Sequence, residues 1–249
     1  MKITPGGVVA SEWTKFSSLR STWITTGVSA FLLIAFGMIA SASFSGSEMS
    51  AVDLALGGST LAALAVGVLG VLLGAGEYTT GMIRSTFAAV PRRLPVLWSK
   101  SLVAGLAAFV VMTIGAFVAF ALGGAVLNDA IGSVSLGDDG VLRALFGAGL
   151  YLGLVAVLGV GLGMLVRSSA GAIAILAGGM LILPGLAPLL PNSIADAVTP
   201  YLPSSAGSAV MALTHGDGTL APWAGLGVFA LYVAATLAAA AYRLRKADA

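Results

Sequence analysis

Residues able to do chemistry are few in this chain, and the patterns that catalysis needs are missing. There is no Cys, which excludes disulfides and thiolate metal ligands. The one His, His215, stands in an HGDG stretch with Asp217, and a lone His beside an Asp reads as a turn rather than a site. Asp129, Asp138 and Asp139 are acids that could attract calcium, but no D-x-D-x-D-G loop with a distal Glu surrounds them, so no metal site is expected. Neither a G-x-S-x-G nucleophile elbow nor an H-E-x-x-H zinc pair occurs. Lys2, Lys15, Lys100 and Lys246 all lack the neighbours of a G-x-x-x-x-G-K-[ST] phosphate loop. The chain is therefore expected to be no enzyme and to hold no cofactor, and any work it does must draw energy from elsewhere.

The elements that would carry such residues are set by the solvent. Of 249 residues 58% are apolar and only 9% charged, against about 25% charged in soluble domains, and the mean hydropathy is +1.03. A helix of ~20 apolar residues spans the ~30 Å bilayer core. Six such stretches are read, near Trp23–Phe44, Leu54–Ala75, Ser101–Leu127, Leu142–Val166, Ala170–Leu190 and Pro222–Tyr242, none with an Asp, Glu, Lys or Arg near its middle. The expected fold is all-α and integral to the membrane, with residues 1–249 forming a single domain. Ala40-Ser41-Ala42 resembles a cleavage site, but the apolar run before it is too long for a signal peptide, so the first span is expected to stay as an anchor. The absence of acids and His inside the spans argues against a proton relay or ion-coupled carrier, and a net charge of +2 is too small to point to nucleic acid.

Basic residues set the orientation. With the N-terminus inside, eleven of the twelve fall on the cytoplasmic side: Lys2, Lys15, Arg20, Arg84, Arg92, Arg93, Lys100, Arg167, Arg243, Arg245 and Lys246. Arg143 is the exception. Glu48, Asp53, Asp129, Asp138, Asp139, Asp196 and Asp217 fall outside. Both ends are thus expected in the cytoplasm.

The connecting segments carry their own patterns. Thr4-Pro5 looks like a helix start, and Val9, Trp13 and Phe16 then recur at helical spacing while Ser11, Lys15 and Ser18 point elsewhere. Such a helix lies in the membrane interface, either as a plain anchor or as an entry helix that also meets a cytoplasmic partner. Between the second and third spans, Ile83, Phe87 and Val90 form an apolar stripe with Arg84 off it, and Pro91 should end that helix. This reads either as a basic loop on anionic lipid or as a transverse helix docking on a partner. Outside, residues 191–221 are broken by Pro191, Pro200 and Pro203, and Ala206–Leu213 is expected to form a short helix. Small-xxx-small pairs, Gly70 with Gly74, Gly149 with Gly153 and Gly159 with Gly163, predict close helix packing without saying which helices meet.

In sequence order, several segments resemble the permease subunits of type-2 ATP-binding-cassette (ABC) exporters of actinobacterial type. They are SEWTKFSSLRSTWIT, with Glu12, Lys15, Leu19, Arg20 and Trp23; GEYTTGMIRSTFAAVPRR, with Glu77, Tyr78, Gly81, Ile83, Arg84, Pro91 and Arg93; Lys100 at the third span; GLGMLVRSSAGAIAIL, with Arg167 and Gly171; and YLPSSAGSAV. The resemblance implies that a coupling helix at about Thr79–Val90 sits on a separate cytoplasmic ABC ATPase, which binds ATP and Mg. It also implies a connecting helix at Val8–Leu19, with Trp13, Lys15, Phe16 and Arg20, and outer re-entrant helices at Pro191–Leu213. A second permease, copy or paralogue, would complete the path in a bacterial plasma membrane. Within this scheme Glu77 is expected to pair with Arg84, Arg20 or Arg93 and stiffen the joint to the coupling helix, and Arg84 and Phe87 are expected to touch the ATPase. The alternative is a stand-alone membrane protein of self-protection or signalling. An amphipathic or lipophilic substrate suits spans without fixed charge.

Overall fold

The computed structural model describes residues 4–43, 50–90, 93–127, 135–213 and 218–246. His215, Asp217, Asp129, Glu48, Pro91, Arg92 and Lys2 lie outside these. The described residues are helical, without strands. In chain order the helices are α1 (Pro5–Ser18), α2 (Arg20–Ser43), α3 (Ala51–Ala55), α4 (Ser59–Thr79), α5 (Ile83–Ala89), α6 (Leu94–Leu127), α7 (Val141–Val166), α8 (Ser169–Ala177), α9 (Leu183–Leu186), α10 (Asn192–Val198), α11 (Pro203–Ser208) and α12 (Pro222–Lys246). A π-helical turn, Gly178–Ile182, joins α8 to α9. Among the described residues six stretches are long and apolar enough to cross a membrane: α2, α4, α6, α7, Ser169–Leu189 and α12. This is the pattern of a multi-pass membrane protein.

Two of the expected spans shift. The second begins at Ser59 instead of Leu54, because the chain must turn at Gly57-Gly58: a Cβ on Gly58 would stand 2.5 Å from the carbonyl oxygens of Leu32 and Leu33. Residues 51–55 form α3 instead, capped by Ser50, whose Oγ accepts from Asp53 N. The third begins earlier, at Leu94, so that Lys100, expected at the entrance to the third span, lies about one turn and a half into the helix. The outer short helix also starts earlier than expected, at Pro203, and continues as 3-10 turns through Met211.

The centre of the bundle is α7. Of its most apolar stretch 72% is buried, against 22% for Ser169–Leu189 at the periphery. Glycines explain how α7 takes neighbours on several sides. On one side, Gly70 and Gly74 of α4 meet Gly159 and Gly163 of α7: a Cβ on Gly70 would lie 2.1 Å from Ala156 O, and one on Gly159 2.2 Å from Gly67 O. The register rises together on both helices, so they run parallel. On another side, Gly149 and Gly153 face Thr113, Phe109 and Gly105 of α6, in antiparallel order. The three glycine pairs thus belong to contacts within one chain, where backbones approach too closely for any side chain.

Outward-facing apolar side chains, among them Phe31, Leu106, Ile114, Leu189 and Leu231, are 55–79% exposed. In water this would be an aggregation surface; in lipid it is ordinary.

Arg143, the basic residue on the wrong side of the charge map, has a structural task. Its guanidinium donates to Val210 O at 3.1 Å and Ala212 O at 2.9 Å, tying the 3-10 turn that follows α11 to the start of α7. Arg143→Met should free that turn while leaving the bundle intact. Amide exchange at residues 209–213 is expected to rise about tenfold, the loss of about 1.4 kcal/mol for charge-assisted bonds.

Candidate functional site

At one end of the bundle, four charged side chains from three helices meet. The first comes from α1. Thr4 caps this helix by accepting from Gly7 N at 3.3 Å, and Pro5 occupies its first turn. Its buried face is Val8, Glu12 and Phe16, spaced by four. The apolar stripe expected through Val9 and Trp13 is therefore displaced by one position. Trp13 is 49% exposed, with its ring stacked on Phe16 at 5.8 Å, and Phe16 meets Trp23 edge-on at 6.0 Å. The shift matters because it turns an acid, Glu12, inward.

Glu12 does not lie there alone. Lys15 Nζ donates to Glu12 Oε1 at 2.7 Å and to Glu77 Oε1 at 2.9 Å. Lys100 Nζ, from α6, donates to Glu12 Oε2 at 2.7 Å and Glu77 Oε1 at 2.9 Å. Two carboxylates and two ammonium groups close a ring of zero net charge. Glu12, Glu77 and Lys100 are buried, and Lys15 is partly exposed. Burial works against the charge on Lys15, but the hydrogen bonds and charges of Glu12 and Glu77 outweigh it and raise its pKa above the ordinary lysine value. Buried charges persist only when paired and hydrogen-bonded, and here each ammonium touches both carboxylates.

The ring also reaches α5. The second oxygen of Glu77, Oε2, accepts from Thr86 Oγ1 at 2.9 Å. One carboxylate at the end of α4 thus binds α1, α5 and α6 together. Between α4 and α5 the chain turns at Gly81, with φ +73°, and a Cβ there would meet nothing within 4 Å. Only backbone strain opposes a side chain at this position. Gly81→Ala is expected to lower stability by about 1–2 kcal/mol, read as a drop in melting temperature in detergent without loss of expression.

Neighbouring cations brace the same end. The Arg167 guanidinium lies over the Tyr78 ring at 5.2 Å, held there by the left-handed backbone of Arg167 (φ +61°) just after α7. Arg93 lies over Phe87 at 5.3 Å and donates to Leu244 O of α12 at 3.5 Å. Such cation–aromatic contacts are worth about 0.5–2 kcal/mol.

Several expectations are corrected by this geometry. Glu77 is bonded to Lys15, Lys100 and Thr86 instead of the expected arginines; Arg84 and Arg20 are exposed and Arg93 lies over Phe87. Lys15 points into the ring and not elsewhere. Phe87 and Ile83 turn inward, 8% and 5% exposed, so Phe87 is not on a free surface, whereas Arg84 is. Gly81 and Tyr78 stand at the joint as expected. In the sequence Glu12 and Lys100 are positions of the family resemblance, with nothing that marks them as charge partners. The signal for an inward Glu12 is an acid four residues from an apolar neighbour on either side, Val8 and Phe16.

Chemically, the ring is an electrostatic clamp with no open acid, base or nucleophile. It walls one side of an apolar cleft of about 400 Å³ that Phe16, Leu19, Leu72 and Val103 also line. No group of three or more His, Asp or Glu that could hold a metal occurs among the described residues.

Compared with known proteins, the chain matches no protein-family model, and no curated protein matches it significantly.

Proposed function

We propose that this chain is the permease subunit of an ATP-driven exporter of the type-2 ABC class. In this reading it lies in a bacterial plasma membrane with both termini in the cytoplasm. It pairs with a second permease, and a separate ATPase carrying ATP and Mg moves it. The observation that carries the reading is the attachment of α5. This short helix is joined directly to α4 and α6, and Glu77 fastens it to both and to α1 through Thr86, Lys100 and Lys15. A helix fixed in this way transmits a push to two spans at once. Its outward face offers Met82, Arg84, Ser85, Ala88 and Ala89 to a cytoplasmic motor. Helix α1 then serves as the connecting helix, and residues 191–213 as the outer re-entrant segment capping the path.

Two measurements test this. The chain, purified from native membranes, should bring down an ABC ATPase, and the complex in liposomes should hydrolyse ATP faster when an amphipathic substrate is present. A photo-crosslinker at position 84 or 88 should capture that ATPase, and one at position 87 should not. Absence of any ATPase from both the purified material and the crosslinks would sink the reading and favour a stand-alone membrane protein.

A further inference from the structure

At the opposite end of α4 from the charged ring lies a second cavity, of about 270 Å³, lined by Ser59 and Thr60 of α4, Tyr151 of α7, and Ser204, Ser205 and Ser208 of α11. Tyr151 is only 2% exposed, yet its hydroxyl has no hydrogen-bond partner among the described residues. Its ring cannot swing away. It packs edge-on against Phe229 at 5.3 Å, and it lies so close to Gly207 that a Cβ there would stand 2.3 Å from Tyr151 Cε2. A buried phenol normally finds a partner, and this one is held where none of the described residues supplies one.

The other lining hydroxyls share that condition. Those of Ser59, Thr60, Ser204 and Ser205 make no side-chain hydrogen bond to described residues. Ser208 donates to Ser205 O at 3.2 Å, which leaves its lone pairs available. No charged side chain lines the cavity, so nothing there selects an ion. The remaining wall is apolar: Met180 and Leu181, from the π-helical turn, and Pro184. That turn lies just before Pro184, whose ring would meet the carbonyl of residue 180 in a regular helix, and π-turns of this kind recur at binding sites.

We propose that this cavity binds an uncharged sugar or polyol ring. Each hydroxyl can both donate and accept, which matches a ligand whose own hydroxyls do both. The apolar wall suits the C–H face of such a ring. The volume, just below the ~300–1,000 Å³ of drug-sized pockets, suits one ring. This inference does not depend on the transport reading, because binding needs neither the ATPase nor turnover.

The test uses the full chain alone in lipid nanodiscs, with methyl β-glucopyranoside as the probe in saturation-transfer NMR. Saturation should pass to the sugar ring protons with the wild-type protein. It should fall at least threefold in Tyr151→Phe and in Ser205→Ala, as expected when one hydrogen bond is lost. Tyr151→Phe removes an oxygen that bonds to none of the described residues, so its melting temperature should match or exceed that of the wild type. If it fails to fold, Ser205→Ala carries the test. No transfer from the wild type, equal transfer from empty nanodiscs, or undiminished transfer in the folded variants overturns the proposal.

Discussion

Glu77→Gln is expected to be the most damaging isosteric change in the chain, lowering stability by about 3–5 kcal/mol, the range for breaking one member of a buried ionic group. The substitution keeps the volume and removes one negative charge. Lys15 and Lys100 then share a single carboxylate, Glu12, and the ring carries a net positive charge where Lys100 is only 5% exposed. A glutamine can still accept from Thr86, so the loss falls on the lysine contacts. The effect should be largest as a loosening of α1, the element fastened to α4 through Lys15. Unfolding in detergent, with Trp13 and Trp23 fluorescence reporting α1, measures it. A double-mutant cycle with Lys100→Met separates the pair from the rest: the double variant should be less destabilised than the two single costs added, by about 1–3 kcal/mol. Additive costs, or a single cost under about 1 kcal/mol, would show that the ring is not a buried clamp. In the proposed exporter the same variant should also lose substrate stimulation of ATP hydrolysis, because α4 and α5, still joined through Thr86, would no longer be tied to α6 through Lys100.

A second large effect is expected at the seam that places α4. A Cβ on Gly159 would lie 2.2 Å from Gly67 O and 2.9 Å from Val71 N. Both are backbone atoms, so the neighbour cannot rotate out of the way. Gly159→Ala should cost about 1–3 kcal/mol by overpacking, and Gly159→Leu should prevent α4 and α7 from meeting and abolish the folded state. Gly70→Ala, whose Cβ would lie 2.1 Å from Ala156 O, should behave like Gly159→Ala. Gly27 and Gly227 serve as controls, since a Cβ at either meets nothing within 4 Å. Alanine there should leave the melting temperature unchanged or raise it, as helix propensity favours Ala over Gly by about 1 kcal/mol. If all four alanine variants unfold alike, the glycines are not seam residues. The seam matters to the site as well, because α4 presents Glu77 at one end and Ser59 and Thr60 at the other.

The sequence by itself determined that this chain has six helices apolar enough to cross a membrane, because a run of about 20 apolar residues is a local property of composition and length. It also placed the start of α1 at Thr4-Pro5 and the apolar stripe of Ile83 and Phe87 on α5, since capping and helical spacing act over a few residues, but not the inward direction of that stripe. It marked glycine pairs as sites of close approach. Tertiary structure decided what met. Gly70 and Gly159 found each other, and so did Glu12, Glu77 and Lys100, across separations of 89, 65 and 23 residues that no local pattern encodes. Glu77 pairs with Lys15 and Lys100 and not with the expected Arg84, Arg20 or Arg93, because sequence spacing does not say which cation is carried into the same buried site. A charge in a low-dielectric site is bound by whichever ammonium the helix packing brings within 3 Å, and α1 and α6 brought two.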